Sequence, residues 1–500
     1  MQPLLTAQQI REGDKYTIEN EPISSIDLME RASRAFVNCF VKHFPDKNKG
    51  ITIYCGTGNN GGDGLAIARL LIADSFKVNV KIAYYSNKES ADFNINLKRL
   101  MESGLAIQLI KPTEDIPTEQ SPIIIDALLG SGLNKPLMGD YKRLVEYLNS
   151  LQKTVVAVDV PTGFFTDGEI NPDAVVLKTD LVITFEQPKI NFLLPEAARV
   201  IKYWDVANIG IHPGFIRSIN TLYCLVEEQD IKQMLKPRMP FSHKGTYGHA
   251  LLVAGHDQTM GAALLSSSAC VYAGAGLTTA CIPQSGLTAL NAYMPELMAI
   301  IRDNDKLPEI KWEQFSAIGI GPGLGNDANG LLLLKSVLAY YNKPIVVDAD
   351  GLNLLSANKA LLKKLPAGSI LTPHMKEFDR LFGEHDNWWQ RLQTCLQKAK
   401  ELQVIILLKN QYTIIATPEG KLYFNPTGNA AMATGGMGDV LTGIITSLLA
   451  QQYSSAEAAI IAAYIHGKAG DELALPHKLN VVLPSQLATQ LPATMANLMA

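Results

Sequence analysis

The sequence lacks several patterns that mark common classes of protein. None of its six cysteines forms a C-x-x-C pair, and its nine histidines show no H-E-x-x-H or comparable spacing, so we expect no tightly bound transition metal. Charged residues make up only 18%, and the net charge of −4 gives no electrostatic basis for binding nucleic acid or an anionic membrane. No apolar run approaches the roughly 20 residues that span a bilayer, and the N-terminus shows no signal-peptide pattern. These absences predict a cytoplasmic protein that binds neither nucleic acid nor membrane.

The first half of the chain alternates between apolar runs and helical stretches. A chain of 500 residues, of which 47% are hydrophobic, suggests a soluble protein of two or more domains. Alternating strands and helices favour a mostly parallel sheet with helices on both faces, as in Rossmann-like folds. The pattern predicts helices at 6–20, 24–44, 64–74 and 140–151 and strands at 51–55, 78–84, 122–129, 154–160 and 180–185.

The alternation weakens between about 212 and 245, where the chain is polar and carries prolines and glycines, and then restarts. We therefore predict two α/β domains, at 1–215 and 230–500. A hairpin fits 412–426, with its turn at Glu419-Gly420. The second half has predicted strands at 250–255, 276–282, 317–321, 344–349, 369–373 and 404–409, and helices at 261–275, 438–452 and 456–470.

A glycine-rich loop, "YCGTGNNGGDGL" at 54–65, follows the first of these strands. Gly56, Gly58 and Gly61 form a G-x-G-x-x-G, whose amides and following helix start attract phosphate groups. This motif alone does not predict a redox dinucleotide site, because the next strand ends without an acid for the ribose. No Gly-Lys-Ser/Thr is present, which excludes a P-loop kinase.

Acidic residues end two further strands of this half, Asp126 in "IIIDALLGSGL" and Asp159 in "VAVDVPTG". The carboxyl ends of parallel strands border the ligand crevice of an open sheet. Asn60, Asp126 and Thr162 could supply oxygen ligands to a hard cation. Asp159 is the first choice for a general base, and Asp63 is the second. Each acid could instead cap a following helix or turn, but three such loops in one half favour a site.

A second glycine-rich loop, "TGGMGDVL", lies at 434–441 ahead of an apolar helix. Its amides can hold a transferring phosphoryl group, where negative charge develops. Asp439 can take the proton of a hydroxyl acceptor, although it could also simply cap the helix. Asp348, Asp350 and Lys409 end other strands of this half and suit a nucleotide site, whereas a single histidine such as His374 is more often structural.

The motifs "GTGNNGGDGL", "DALLGSGL" and "DVPTG" together resemble the YjeF N-terminal family of NAD(P)HX epimerases, over about residues 1–215. Val160 and Thr162 depart from the usual D-I-P-S-G, and Thr162 keeps the hydroxyl. The resemblance implies a potassium ion bound by Asn60, Asp126 and Thr162. It also implies that the hydrated dinucleotide is contacted by Asn59, Asn60, Gly61, Gly62, Asp63, the loop at 130–136 including Gly130, Ser131 and Gly132, and Asp159.

The motifs "HKGTYGHALLVAG", "GPGLG", "DADGLN", "LTPH" and "TGNAAMATGGMGD" resemble the ribokinase-like superfamily and, more narrowly, the ADP-dependent NAD(P)HX dehydratases, over about 230–500. Lys376, Asn410 and 429–432 depart from the common family pattern. The resemblance implies a homo-oligomer that uses ADP with Mg²⁺. It implies substrate contacts from Ala262, Gly323, His374 and Asp439, and nucleotide contacts from Lys409, Asn410, Gln411, Tyr412, Thr413 and Gly438.

The two resemblances together imply repair of a damaged coenzyme. Hydration at C6 of the reduced nicotinamide ring gives an alcohol with two epimers, and phosphorylation of that alcohol would turn a poor leaving group into a good one. An epimerase would rescue the isomer that a stereospecific dehydratase leaves behind. One alternative is a kinase of a small alcohol, such as a vitamin precursor, with an N-terminal ligand sensor. Another is a non-catalytic N-terminal scaffold, against which the intact Asp63, Asp126 and Asp159 argue.

Overall fold

The computed structural model describes residues 1–302 and 307–499. The chain forms two compact units, an N-terminal unit of Pro3–Thr221 with Asn387–Trp389, and a C-terminal unit of Met1–Gln2, Leu222–Asp386 and Gln390–Ala500. The domain limits of 1–215 and 230–500 stay a prediction, and the second range includes residues 303–306 and 500, which lie outside the described part. Among the described helices, none combines the length and apolar character needed to cross a membrane.

The N-terminal unit is built on a seven-stranded sheet in which every neighbouring pair is parallel. Its central strands are buried along their whole length, as expected of a sheet covered on both faces. The first strand of the chain, β1 (Gln2–Leu4), does not belong to this sheet. The seven strands are β2 (Ile51–Cys55), β3 (Val78–Ala83), β4 (Ile107–Ile110), β5 (Ile123–Ala127), β6 (Thr154–Val158), β7 (Thr179–Phe185) and β8 (Ile201–Ala207). The helices of the unit are α1 (Ala7–Asn20), α2 (Ser25–His43), α3 (Asn59–Ala73), α4 (Ala91–Met101), α5 (Gly139–Ser150) and α6 (Pro213–Ser218).

The strand order β4-β3-β2-β5-β6-β7-β8 reverses between β2 and β5. Such a switch point opens a crevice beyond the carboxyl ends of the two strands, because their loops turn away in opposite directions. The two strands end level with each other, with Cys55 beside Ala127. Gly56 is required here, since a Cβ at this position would lie 2.1 Å from the carbonyl oxygen of Leu128. The first glycine loop therefore lies at the crevice that the sheet topology creates.

The C-terminal unit contains a sheet of mixed direction with the order β1-β9-β18-β17-β16-β15-β14-β13-β10-β11-β12. The run from β16 to β12 is parallel, whereas β16, β17 and β18 pair antiparallel through the predicted hairpin, whose Gly420 has φ +83°. The strands are β9 (Tyr223–Leu225), β10 (His249–Val253), β11 (Leu277–Pro283), β12 (Met298–Arg302), β13 (Ala317–Ile320), β14 (Ile345–Val347), β15 (Ile370–Leu371), β16 (Ile405–Leu408), β17 (Ile414–Ala416) and β18 (Leu422–Phe424).

The helix α14 (Met437–Ala450) forms the centre of this unit, because nearly all of its residues are buried. It packs so closely on α8 (Met260–Tyr272) that a Cβ at Gly443 would lie 2.1 Å from the carbonyl oxygen of Ser266. This contact fixes the direction of α14 and hence the position of its N-terminus. The remaining helices are α7 (Glu228–Met234), α9 (Leu287–Tyr293), α10 (Ala328–Tyr340), α11 (Ala349–Ala357), α12 (Met375–Phe382), α13 (Trp388–Leu402), α15 (Ser455–Ala474) and α16 (Pro484–Met499).

The strands and helices predicted for both halves are confirmed, with ends that differ by a few residues. The start of α2 is also as expected, since the Ser24 hydroxyl accepts a hydrogen bond from the Asp27 amide. The prediction missed the strands β1, β4, β8, β9 and β12, of which all but β9 lie at sheet edges and have one partner strand each. Edge strands expose one side to solvent, so their sequences lack the continuous apolar run that marks a buried strand.

Candidate active sites

A cavity of about 520 Å³ lies in the N-terminal unit at the switch point between β2 and β5. Helices α1 and α2 supply apolar walls, while the start of α3 and the loops after β5, β6 and β7 supply polar groups. Gly58 precedes α3 and has no side chain with which to cap it, so the first amides of α3 stay available to an anion. Of the predicted residues, those that line the cavity are Asn59, Asn60, Asp63, Gly130, Ser131, Gly132 and Asp159.

Gly61 and Gly62 have a structural role, because the structure places both behind the cavity wall. A Cβ at Gly61 would lie 1.9 Å from the carbonyl oxygen of Gly56, and a Cβ at Gly62 would lie 3.0 Å from the sulfur of Met29. These glycines let the loop fold tightly and let α2 pack against α3. They therefore shape the site without lining it.

The carboxylate of Asp159 is held in place by three donors. Lys189 places its ammonium 2.7 Å from Asp159 Oδ1, and the same oxygen accepts hydrogen bonds from the Thr184 hydroxyl and the Phe185 amide. Lys189 is almost fully buried, with 1% of its side chain exposed. Asp159 has φ +63°, a left-handed conformation that is uncommon outside glycine and costs roughly 1–3 kcal/mol. The fold thus holds the Asp159 carboxylate against a buried ammonium, in a strained backbone, at the wall of the cavity.

Asp63 and Asp14 also line the cavity, and both have raised pKa values. Burial, together with the negative charges of Asp159 and Asp14, raises the pKa of Asp63 well above its ordinary value. Burial also raises the pKa of Asp14 to about 6, with Asp159 adding to the effect and Lys189 opposing it. The raised pKa makes Asp63 harder to ionise than an ordinary aspartate, whereas Asp159 has the ammonium of Lys189 at 2.7 Å. This geometry supports Asp159, rather than Asp63, as the group that accepts a proton.

Asn60, Asp126 and Thr162 meet beside the turn that follows β5. The carboxylate of Asp126 is fully buried and accepts hydrogen bonds from the Thr162 hydroxyl at 2.7 Å, the Thr162 amide at 2.8 Å and the Leu128 amide at 3.1 Å. Burial raises its pKa to about 6, against the lowering effect of these bonds. The Asn60 amide packs on Gly130, and among the described residues none accepts a hydrogen bond from its Nδ2. Oxygen groups and one unsatisfied amide therefore converge on this point.

Sequence reasoning missed Lys189 and Asp14, although both line the cavity beside Asp159. Lys189 belongs to no recognised motif, but it follows the strand β7 closely, as the predicted acids follow β5 and β6. Its position shortly after a strand could have marked Lys189 as a candidate site residue. Asp14 gave no such signal, since it is an ordinary polar residue within the helix α1.

In the C-terminal unit, the second glycine loop forms an open, uncapped start to α14. Gly436 has φ +98° and precedes the helix without a capping side chain. A Cβ at Gly435 would meet no atom within 4 Å, so there is open space above the loop. The first amides of α14 are therefore free to bind negative charge, and the positive end of the helix dipole adds to that attraction.

Asp439 lies in the first turn of α14 and has a strongly shifted pKa. Burial, with the charges of Asp348 and Asp350 adding to it and that of Lys409 opposing it, raises the pKa of Asp439 to about 7. A carboxylate with a pKa near the working pH is well suited to general base catalysis. The predicted catalytic group therefore combines the expected position with the expected chemistry.

Lys409 and Asp348 form a buried pair beside Asp439. The ammonium of Lys409 lies 2.8 Å from Asp348 Oδ1, and the Thr442 hydroxyl donates to Asp348 Oδ2 at 2.8 Å. Burial alone would lower the pKa of Lys409, but the carboxylates of Asp348 and Glu377 raise it overall. A Cβ at Gly438 would lie 3.2 Å from the Lys409 ammonium. A fixed positive charge therefore lies directly against the glycine loop.

His374 caps the helix α12. Its Nδ1 accepts hydrogen bonds from the amides of Lys376 and Glu377, and the Glu377 carboxylate accepts one from the His374 amide. Burial and the nearby charge of Lys409 lower the pKa of His374. The imidazole is thus neutral, with its Nδ1 occupied, and can offer a ligand only its Nε2 face and its ring edge.

The other predicted residues of this unit form two groups. Ala262 and Gly323 are neighbours, because a Cβ at Gly323 would lie 2.9 Å from that of Ala262. Lys409 pairs with His374 at the end of β16, and the loop after it is tied down by a bond from Gln411 to the Gly428 carbonyl and one from Thr413 to the Asn410 carbonyl. The described structure thus places Ala262, in the first turn of α8, against Gly323 in the loop after β13, and places Lys409 beside the glycine loop.

Comparison with known proteins finds a family for each half of the chain. The family described as YjeF-related protein N-terminus matches residues 25–191. The family described as NAD(P)H-hydrate dehydratase matches residues 250–493. Each match contains the glycine loop and the acids of the site described above for its unit. Together with the two α/β units, these matches confirm the predicted fold class.

Relatives match over almost the whole length. A bifunctional NAD(P)H-hydrate repair enzyme, Nnr, from Moorella thermoacetica is 33% identical over 99% of this chain and 97% of its own. The enzyme of the same name from Coxiella burnetii is 34% identical over 95% of both chains. Among solved structures, a hypothetical protein, SMU.573, from Streptococcus mutans is 30% identical, covers 55% of this chain and 100% of its own, and has a TM-score of 0.51. This chain therefore belongs to the family of bifunctional NAD(P)H-hydrate repair enzymes.

Proposed function

We propose that this protein restores hydrated NADH and NADPH in two steps, an epimerisation in the N-terminal unit and a nucleotide-dependent dehydration in the C-terminal unit. The observation that carries the proposal is Asp439, a carboxylate of pKa about 7 beside an uncapped, glycine-lined helix start. That arrangement suits transfer of a phosphoryl group to a hydroxyl. The first glycine loop, with the cavity of the N-terminal unit, supplies a separate place for the dinucleotide.

In the dehydration, Asp439 takes the proton of the C6 hydroxyl while that oxygen attacks the terminal phosphorus of ADP. The amides at the start of α14 and the ammonium of Lys409 stabilise the negative charge on the transferring group. The bond from C6 to oxygen then breaks, expelled by the lone pair of the ring nitrogen, and phosphate leaves. Loss of a proton from C5 restores the dihydropyridine ring. The products are NAD(P)H, AMP and phosphate.

Mg²⁺ fits the charge balance of this site. The site contains three carboxylates, those of Asp348, Asp350 and Asp439. The positive charge that acts on Asp439 comes from the ammonium of Lys409. Mg²⁺ is usually held by one or two carboxylates together with substrate phosphates, so these acids would hold it beside bound ADP. When bound, the ion would neutralise charge on the phosphates. The preference for ADP over ATP rests on the family resemblance and is tested below.

In the epimerisation, Asp159 takes the proton of the C6 hydroxyl and the bond from C6 to the ring nitrogen breaks. The ring opens to an aldehyde, the nitrogen receives the proton, and closure on the opposite face inverts C6. Lys189 orients Asp159 and places a positive charge beside it, since its ammonium lies 2.7 Å from the carboxylate. Asp63, whose pKa is raised by burial, lines the same cavity and in its protonated form can donate a hydrogen bond to the carbonyl or hydroxyl oxygen.

A potassium ion fits the group formed by Asn60, Asp126 and Thr162. Carboxylate, hydroxyl and amide oxygens are hard donors that suit a hard cation. Among the described residues none accepts a hydrogen bond from Asn60 Nδ2, so turning this amide would break no hydrogen bond of its nitrogen. Turned so that its oxygen faces the group, the Asn60 amide would complete the set. A cation there would keep Asp126 ionised and would fix the turn at 128–132 against the cavity.

The direct test mixes purified protein with hydrated NADH, ADP and potassium and follows the absorbance of reduced nicotinamide. We expect recovery of NADH with one AMP formed per NADH. Less NADH should be recovered when ATP replaces ADP, and the R epimer should be used more slowly without potassium. Asp439→Asn should abolish dehydration of the S epimer. Asp159→Asn should abolish interconversion of the epimers and leave dehydration of the S epimer intact.

Three results would contradict the proposal. They are recovery of NADH without nucleotide consumption, stable transfer of phosphate to an unrelated alcohol, and full activity of Asp439→Asn. Loss of both activities in Asp159→Asn would indicate misfolding, which a melting curve separates from a specific effect. The family resemblance also leads us to propose a cytoplasmic homo-oligomer, which size-exclusion chromatography with light scattering and cell fractionation test.

A further inference from the structure

A cysteine, a histidine and an aspartate converge on the outer surface of the N-terminal unit, away from the polar residues that line the cavity. Cys39 Sγ, His43 Nε2 and Asp205 Oδ2 lie within 4.8 Å of one another. We call these three residues the outer triad. Neither the family resemblance nor the proposed reactions use any of them.

Local structure places the three side chains together. Cys39 and His43 are four residues apart in the last turns of α2, so they share one face of that helix. Asp205 comes from β8, the strand at the edge of the sheet. Its Oδ1 accepts a hydrogen bond from the Val206 amide, which leaves Oδ2 directed toward the other two groups. The arrangement therefore joins the end of α2 to the edge of the sheet.

Two distances in the outer triad lie within about 0.3 Å of those between ligands of one tetrahedral ion, and the third, from Cys39 Sγ to His43 Nε2, is at most 4.8 Å. Asp205 Oδ2 lies 3.1 Å from His43 Nε2 and 3.4 Å from Cys39 Sγ. With usual zinc bond lengths, the edges of a tetrahedron are about 3.4 Å between nitrogen and oxygen and about 3.6 Å between sulfur and oxygen. Small side-chain movements would close the remaining differences. Three ligands with a fourth position open to water is a common zinc arrangement.

We propose that the outer triad binds Zn²⁺ through the Cys39 thiolate, the His43 imidazole and the Asp205 carboxylate. Thiolate and imidazole ligands favour a borderline ion such as Zn²⁺ over Mg²⁺ or K⁺, which the proposed reactions use. His43 and Asp205 expose 42% and 51% of their side chains, so an ion can enter from solvent. Because Leu28 and Met29 of the same helix line the cavity, the ion would anchor the far end of α2, one wall of the substrate site.

Without metal, the same three residues form a hydrogen-bonded chain in which the thiol and the imidazole both donate to the carboxylate. Sequence inspection does not find this group, since the aspartate lies 162 residues after the histidine. The spacing Cys-x-x-x-His on a helix does not predict a metal site unless a third ligand is known. The experiment must therefore distinguish a metal site from this hydrogen-bonded chain.

The test uses full-length protein without a histidine tag, freed of metal and titrated with Co²⁺ as a spectroscopic stand-in for Zn²⁺. We expect one Co²⁺ per chain, with the visible bands of tetrahedral Co²⁺ and a thiolate-to-metal charge-transfer band in the near ultraviolet. Zn²⁺ should displace the Co²⁺ and raise the melting temperature. Replacing one ligand, in Cys39→Ser or His43→Ala, should weaken Zn²⁺ binding by at least about tenfold.

Cys224→Ser is the matched control, because Cys224 is the other partly exposed thiol and belongs to the C-terminal unit. It should bind Co²⁺ as the wild type does and keep the charge-transfer band. Asp205→Asn keeps the size of the side chain and should also weaken binding. Absence of saturable Co²⁺ binding, binding without a thiolate band, or a band that persists in Cys39→Ser would overturn the proposal and leave the hydrogen-bonded chain as the role of the outer triad.

Discussion

The pH dependence of dehydration is the sharpest test of the C-terminal site. Asp439 must be ionised to act as a base, and its pKa of about 7 lies within the range where rates are easily measured. The ionised fraction is about one-half at pH 7 and about one-tenth at pH 6. We therefore expect kcat/KM for the S epimer at pH 6 to be about one-fifth of its value at pH 7, and to rise by about 1.8-fold from pH 7 to pH 8.

Asp348→Asn should move this profile in a known direction. After burial, the negative charge of Asp348 is the largest cause of the raised pKa of Asp439, and its removal also frees Lys409 to act on Asp439 alone. A single charge at short range shifts a pKa by about 1–3 units. With a shift of about one unit, the ratio of kcat/KM at pH 6 to that at pH 7 should rise from about one-fifth to about one-half, although the maximal rate should fall.

The assay follows reduced nicotinamide absorbance at saturating ADP across pH 5.5 to about 8.5, with melting curves to confirm folding. Asp386→Asn, at an exposed position of the same unit, is the matched control and should leave the profile unchanged. A flat profile in the wild type, or a rising limb that stays in place in Asp348→Asn, would refute Asp439 as the group that titrates.

The remaining predictions concern stability and the epimerisation site of the N-terminal unit. Asp439→Asn should raise the melting temperature more at pH 8 than at pH 5, because a carboxyl whose folded pKa is raised loses stability as pH increases toward that pKa. Gly443→Ala should lower stability by about 1–3 kcal/mol, since its Cβ would lie 2.1 Å from a carbonyl oxygen, whereas Gly261→Ala, with no atom within 4 Å, should not. Lys189→Met should abolish epimerisation and spare dehydration of the S epimer; an unchanged epimerase rate would show that the ion pair with Asp159 is dispensable.

The parts of the fold and site that could be predicted have local sequence signals. Buried strands give continuous apolar runs, and the glycines of the two loops mark places where a side chain would collide with backbone, as at Gly56. Asp126 and Asp159 could be placed because each directly ends such a strand, and parallel strands end at one edge of the sheet. Asp439 could be placed because it follows a glycine loop and begins a helix.

What the sequence could not show depends on contacts between distant segments. Lys189 pairs with Asp159 only because the loop after β7 reaches the cavity. The charge of Asp14 raises the pKa of Asp63 only because helix α1 lies at the same cavity. The edge strands were missed because one exposed side removes the apolar pattern. The capping role of His374 was likewise hidden, since it depends on the backbone amides that α12 brings to the ring.

The left-handed backbone at Asp159 limits what this position can become. Asparagine and glycine tolerate that conformation, whereas other side chains pay an added conformational cost. Random variation at residue 159 would therefore tend to yield either a folded but inert protein, through Asn or Gly, or a less stable one. An Asn variant that melts like the wild type would isolate the missing charge, so chemistry and folding can be separated by one substitution.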